Sequence, residues 1–303
     1  MHIEKHARAF VRRWLYPLSW VWIVFALAQF LAMEQDLRPA WILITLPLLV
    51  VFLVVEILLP LERRWSMTWR NLATDLVYVA LAGAAIALVA AGLALLSITI
   101  AGTADGPARD WPLWLQVPVL LLVFEFLNYW IHRSMHRLGG WVGAVLWRVH
   151  AAHHLPRGLY LLIHAVSHPI NAMLIQSIAI ILPISLMGYR PEAVLIFLVV
   201  NAFHGIISHF NVDLRMGLAN RIFVGPELHR YHHSADPLEA MNYGATLSVW
   251  DQVFGTFVYR PQRPPAALGV SPADGFPEYR QVLYVLGLPF RRAPGSVAGI
   301  GRI

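Results

Sequence analysis

The stretch Pro112-Leu-Trp-Leu-Gln-Val-Pro-Val-Leu-Leu-Leu-Val-Phe-Glu-Phe-Leu-Asn-Tyr-Trp-Ile-His-Arg-Ser-Met-His136 opens as a membrane span and closes on two imidazoles. From Pro112 to Ile131 it supplies 20 predominantly apolar residues, enough for a helix to cross a hydrocarbon core about 30 Å thick. Continued as a helix, it puts His132 and His136 one turn apart on one face. Glu125 and Asn128, or Tyr129, fall on the same stripe deeper in the span. A carboxylate at that depth is costly unless it is partnered. Bonding to a ligand imidazole is the use expected of it, and an interhelical hydrogen bond without a metal is the plainer alternative.

Two further clusters share this spacing. His150-Ala-Ala-His-His154 and His229-Arg-Tyr-His-His233 each set three imidazoles at i, i+3 and i+4, within an arc of about 100° on a helix face. A lone histidine is usually packed or solvated. Here 12 of the 14 histidines lie between His132 and His233, so a metal site is the reading adopted. Imidazole suits iron, zinc and copper alike. The chain has no cysteine, which excludes disulfides, iron–sulfur clusters and thiolate zinc sites. Any metal is held by nitrogen and oxygen.

Of the 303 residues 58% are hydrophobic and 13% charged, and the mean hydropathy is +0.59. That balance belongs to an all-α, polytopic membrane protein rather than to two soluble domains. A net charge of +6 would suit nucleic acid, but the arginines are scattered through short loops between apolar runs. A membrane surface explains them, and no nucleic-acid partner is expected.

Working outward from the opening stretch, about six spans are predicted. Lys5, Arg8, Arg12 and Arg13 precede a run from Trp14 to Met33, read as an uncleaved anchor rather than a signal peptide cut near Ala26-Leu-Ala28. Pro39–Pro60 and Leu76–Ala101 follow, the latter rich in small residues that let helices approach closely. Residues 1–110 thus form an N-terminal transmembrane region and 111–260 a histidine-bearing catalytic region. Within the second, Gly139–His168 reads as an amphipathic, Trp-flanked helix lying along the interface. Pro169–Tyr189 and Pro191–Phe210 read as a hairpin of spans, the second ending in His204 and His209. Five residues apart, these two point about 140° away from each other on a straight helix, so His209 is the better ligand candidate. For His164 and His168 a surface or capping role is at least as natural as ligation. Residues 261–303 form a Pro-, Gly- and Arg-rich tail with no readable chemistry.

Topology brings the clusters together. With these spans, every cluster emerges at the same end, the end that also receives residues 1–13 and the Arg63–Arg70 connector. Seven basic residues stand there against Arg38, Arg109 and Arg190 at the other, so the N-terminus and the histidines are expected in the cytosol, the membrane being the inner one if the source is bacterial. The expected fold is a six-helix bundle with a cytosolic histidine-rich cap. Eight histidines in three clusters, with His209 and His204 added, exceed one ion's capacity, so two metals are the economical reading. A metal transporter or a bis-histidine haem protein would also carry membrane histidines. Haem would leave most of them unused, and a transporter would spread polar groups along a midplane path.

The ordered set His132-x-x-x-His136, His150-x-x-His153-His154 and His229-x-x-His232-His233 resembles the fatty acid hydroxylase / sterol desaturase superfamily of membrane di-iron enzymes. Tyr129-Trp-Ile-His-Arg-Ser-Met-His136, Ser167-His-Pro169, Asn242-Tyr-Gly244 and Trp250-Asp-x-x-Phe-Gly-Thr256 strengthen it, over roughly residues 60–260. The resemblance implies two iron ions on the boxed histidines, O2 as co-substrate and a lipid substrate hydroxylated at a C–H bond, with desaturation as the near alternative. It also implies electrons from a separate donor, whether a ferredoxin, a cytochrome b5-like protein or a reductase. His204 and His209 stand where relatives contribute further ligands, and Glu125 where an acidic residue, often Asp, is common. Leu155-Pro-Arg157 departs from the small polar residues that often follow the second box, which points to the cavity mouth and the choice of substrate.

Overall fold

A computed structural model describes residues 2–33, 37, 39–99, 106–260, 263–270 and 275–291, with side chains omitted for 93–99. The described residues are helical, with no strand beyond two isolated bridges, Phe223–Leu247 and Ser234–Leu268. Six helical stretches are long and apolar enough to cross a membrane. They are α1 (His2–Ala32), α2 (Ala40–Leu58), α3 (Trp69–Thr99), α4 (Leu113–Arg137), a run over Pro169–Met187, and the helix Pro191–Ser208. Their outer faces explain why: Val21, Val24 and Phe25 on α1, Val50 and Val54 on α2, and Leu76 and Leu88 on α3 are exposed. An apolar surface of that extent is stable against lipid, not water.

Helix ends depart from the sequence expectation for local reasons. At 31 residues α1 is about 46 Å long, so its basic first turns run on beyond a bilayer core. The third span starts at Trp69 rather than Leu76, because Thr68 Oγ1 accepts the Asn71 N–H at 3.2 Å and caps the first turn. The interfacial helix is shorter than expected: α5 (Gly140–His154) ends at its last histidine and does not continue to His168. Leu155 still has helical backbone angles, but Pro156 offers no N–H to continue the ladder. The chain then crosses a 3₁₀ turn, Leu161–Ala165, before α6 (Pro169–Leu174). A π-helical segment, Ile175–Ile181, joins α6 to α7 (Leu182–Met187), and Gly188 at φ 64° turns the chain into α8 (Pro191–Ser208).

Three short helices complete the described fold, α9 (Pro226–His232), α10 (Val249–Val253) and α11 (Val282–Gly287). Part of the expected tail packs on the rest: Tyr279, Val285 and Leu288 are buried against Trp65, Tyr78 and Tyr160. Glu56, at the end of α2, ties that helix to the chain ahead of α6 and just after α8. Its carboxylate accepts the backbone N–H of Leu161 at 3.0 Å and of Asn211 at 2.8 Å. In the middle stands α4, packed against α5, α8, α10 and the π segment, with Phe124 edge-on to Phe197 at 5.2 Å.

Candidate metal centre

Four elements converge where α4 leaves the bundle. It brings His132 and His136, α5 brings His150, His153 and His154, the end of α8 brings His209, and α9 with the residue after it brings His229, His232 and His233. Nine of these ring systems sort into two groups. His132, His136, His150, His154 and His232 form one, and His153, His209, His229 and His233 the other. Within each, one ring nitrogen per residue lies within 4.8 Å of all the others. The i, i+3, i+4 spacing produces the split: His150 and His154 face one group while His153 faces the next. The groups adjoin, with the rings of His154 and His233 stacked at 4.5 Å.

Hydrogen bonds at the far side of five of the nine rings show which nitrogen is bare. His132 Nδ1 lies 2.8 Å from the Tyr243 carbonyl oxygen, His153 Nδ1 2.9 Å from that of Val166, and His232 Nδ1 3.0 Å from that of Met241. A carbonyl only accepts, so each Nδ1 donates and each Nε2 keeps its lone pair. His150 Nδ1 donates in the same way to Asn171 Oδ1 at 3.0 Å, an orientation fixed by Asn171 Nδ2 donating to Ser167. His209 Nδ1 faces Ser208 Oγ at 2.9 Å, whose own proton goes to the Gly205 carbonyl.

The bare nitrogens nevertheless face one another: His132 Nε2 and His150 Nε2 are 2.9 Å apart, and His153 Nε2 and His209 Nε2 3.1 Å. Lone pairs at that distance repel unless a cation lies between them. His209, His229 and His233 add a triangle of Nε2 atoms at 3.0, 3.2 and 3.3 Å. No placement of protons satisfies all three sides, since each Nε2 is a donor or an acceptor but not both. Two nitrogens about 2.1 Å from one ion stand about 3.0 Å apart at a right angle and about 3.4 Å apart at the tetrahedral angle. The observed gaps match those between nitrogens that share one ion, and among the described residues the buried Nε2 atoms of His136 and His232 have no hydrogen-bond partner.

Burial first, and neighbouring imidazoles second, hold His150, His154, His209, His229, His232 and His233 well below the ordinary imidazole range. Burial pushes His153 down to about 4. These rings are neutral at neutral pH, the form that ligates.

Glu125 and Asn128 do not do what the spacing suggested. Neither bonds a ligand imidazole. The Glu125 carboxylate is fully buried and accepts the backbone N–H groups of Ala245 at 2.6 Å, Thr246 at 2.7 Å and Leu247 at 2.8 Å, and Asn128 Nδ2 reaches it at 3.5 Å. It lies too deep for the imidazoles but level with the turn that follows α9. Asp251, whose role the sequence reading passed over, holds the other side of that turn through the N–H groups of Tyr243 at 2.8 Å and Gly244 at 2.9 Å. Burial raises its carboxyl to about 6, against the pull of those hydrogen bonds and that from Thr256. Between the two acids sits the Tyr243 carbonyl that orients His132. The carboxylates therefore act on the ligand through backbone, and Asn242, at φ 60°, carries the chain into the turn.

His204 is the expected ligand that joins neither group. Its Nδ1 donates to the Val224 carbonyl at 2.9 Å, and its ring stacks on Phe223 at 4.6 Å. The 140° between it and His209 explains the outcome: α8 stays helical through His204 and ends only at Ser208. His168 caps α6, its Nδ1 accepting the Ile170 N–H at 3.1 Å. His164 comes closer, 5.5 Å ring to ring from His209, and belongs to neither group. It approaches because residue 205 is glycine, where a Cβ would stand 2.3 Å from the His164 ring. We expect Gly205→Ala to displace that ring while leaving the metal content of the purified protein unchanged.

A cavity of about 450 Å³ runs from the histidines toward the membrane-facing helices. Its deeper walls are Val79, Ala82, Gly83 and Ile86 of α3 with Ile175 and Ile180 of the π segment, and amides of Asn128, Asn171, Gln176 and Asn201 line it too. Among the described residues no Asp, Glu, Lys or Arg lines it. The space is fitted to a long apolar molecule with uncharged polar groups.

Comparison with known proteins then places the chain. The fatty acid hydroxylase family matches residues 117–256. Ornithine lipid hydroxylase OlsE of Rhizobium tropici is 31% identical over 277 residues, 87% of this chain and 80% of that protein. The chain belongs to the fatty acid hydroxylase family. Other members are more distant: alkylglycerol monooxygenase of Xenopus tropicalis is 27% identical over 49% of this chain and 31% of its own length, and a probable Delta(7)-sterol 5(6)-desaturase of Neurospora crassa is 31% identical over 51% and 41%. No solved structure matches. As a member of this family the chain is an oxidoreductase, an integral membrane protein, and of a kind whose relatives are named as lipid hydroxylases, monooxygenases and sterol desaturases.

Proposed function

We propose that this protein is a di-iron, O2-dependent hydroxylase acting on a C–H bond of a membrane lipid, and that the nine grouped histidines hold its two irons. The observation that carries the reading is the pair of imidazole groups with bare nitrogens turned toward one another at the end of an uncharged, lipid-facing cavity. Irons bound there supply the reductive activation of O2 that an unactivated C–H bond demands. The chain's own share is orientation and exclusion of water. Carbonyls of Tyr243, Val166 and Met241 keep the Nδ1 protons and so aim the Nε2 lone pairs. Phe124, Ile175 and Ile180 dry the cavity in which the lipid lies.

The first substrate to test is an ornithine lipid, because the relative of that name matches most of the chain. The excess of basic residues at the histidine end supports a cytosolic site and N-terminus. The electrons come from a separate donor protein.

Lipid extracts of cells with and without the gene, compared by mass spectrometry, are expected to differ by a product about 16 mass units heavier than its parent, the added mass of one oxygen. A product lighter by two hydrogens would instead favour desaturation, the activity named for the Neurospora relative. An unchanged lipidome under aerobic growth, or a Soret band in the purified protein, would sink the proposal.

A further inference from the structure

A second concavity, of about 700 Å³, opens at the histidine end between the turn before α3, the residues after α5 and the segment 276–280. Among the described residues four arginines line it, Arg64, Arg70, Arg157 and Arg280, against the single carboxylate of Glu278. Arg280 pairs with Glu278 at 3.1 Å and Arg64 with Glu62 at 3.4 Å. No described carboxylate pairs with Arg70 or Arg157, and both are exposed. The cleft is therefore an exposed cationic surface with an aromatic edge, Trp69, 87% exposed.

Its inner wall leads to the metal groups. Leu155, in that wall, is the residue after His154. Phe276, also in the wall, stands edge-on to Trp147 at 6.1 Å, and Trp147 lies 5.1 Å from the His136 ring and 5.7 Å from that of His154. Among the described residues the buried Trp147 Nε1 has no hydrogen-bond partner, so what this side chain offers here is its ring.

We propose that this cleft docks the acidic face of a small one-electron carrier protein, and that Phe276 and Trp147 lead from the docked carrier to the five-histidine group. The proposal rests on reading that group as half of an oxygen-activating metal centre. Hydroxylation with O2 consumes two electrons and two protons, one oxygen entering the lipid and the other leaving as water. Two reduced carriers therefore dock in turn, each oxidised by one electron. Charge steers such partners and sets their register, and electron-transfer contacts are small, which a cleft with four arginines suits. An anionic lipid headgroup would use the arginines but gives no reason for the aromatic run behind them.

The test uses the full chain in phosphatidylcholine nanodiscs and an acidic plant-type [2Fe–2S] ferredoxin as probe. Binding is measured directly, so that it does not depend on turnover. Affinity is expected to fall about tenfold between low and moderate salt as screening sets in, and Arg70→Glu with Arg157→Glu to weaken binding at low salt by about tenfold or more. Phe276→Leu, in the cleft wall but remote from the histidines, is compared with the parent at saturating ferredoxin, so that any change in affinity is set apart from transfer. In stopped flow it should reoxidise reduced ferredoxin several-fold more slowly. Ferredoxin that fails to bind the parent, or binds the double variant equally well, overturns the docking site. So does a double variant that loses affinity only for phosphatidylglycerol vesicles, which would assign the cleft to lipid headgroups. Unaltered reoxidation in Phe276→Leu overturns the route. Lipid oxidation that persists with a chemical reductant while docking fails would leave the proposed function standing. Docking without any lipid product would count against the function instead.

Discussion

His209→Ala is expected to lower bound iron from two ions per chain to about one and to abolish oxygen-dependent lipid product, a loss of about a thousandfold or more. His209 Nε2 touches the Nε2 atoms of His153, His229 and His233 at 3.1, 3.0 and 3.3 Å, so its removal takes the common member from the four-histidine group. The three imidazoles left lose the nitrogen that each of them faces and hold an iron less tightly than four. His204→Ala is the matched control. That ring lies one and a half helical turns away, bonded to Val224 and stacked on Phe223, so its loss leaves a cavity in the packing, costs about 1–3 kcal/mol of stability and leaves two irons in place. Metal analysis of the two purified variants separates them. Equal iron in both would mean that the four-histidine group is not a metal site.

The second large effect is expected at Glu125, which touches no histidine. Glu125→Ala strands three backbone N–H groups, the part-buried one of Ala245 and the buried ones of Thr246 and Leu247. At about 1–3 kcal/mol for each unsatisfied group, the cost is on the order of 3–6 kcal/mol even after some relaxation. The turn bearing the Tyr243 carbonyl then loses one of its two anchors, and His132 its orientation. Thermal unfolding should come about 10 °C or more earlier, with iron lost from the five-histidine group in step. Glu125→Gln keeps one acceptor oxygen and should fall between. A Glu125→Ala protein with unchanged melting temperature and iron content would refute this chain of support.

How much of this was legible in the sequence follows from how each signal is encoded. Membrane spans are written in consecutive residues, so apolar length alone located all six; their ends differ where α1 extends back to His2 and where Thr68 caps α3 ahead of Leu76. The three clusters were legible for the same reason: i, i+3 and i+4 on a helix is a local rule. His204 against His209 was half legible, since their angular separation follows from spacing, while the choice between them depended on where α8 ends. Glu125 was singled out correctly as a carboxylate that needs partners, yet its partners lie about 120 residues further on, and no local rule reaches that far.

The sequence by itself determined the helical class, the membrane, the bearing of histidines on one end and the presence of more imidazoles than one ion can use. Only the tertiary structure decided how nine of them divide into five and four, which nitrogen is bare on five of them, that Glu125 and Asp251 act through the Tyr243 turn, and that a cationic cleft backs onto His154. The physical reason is that periodicity fixes which face of a helix a side chain occupies, whereas ligation, hydrogen-bond direction and cleft walls depend on contacts between helices, and those are set by packing across the whole chain.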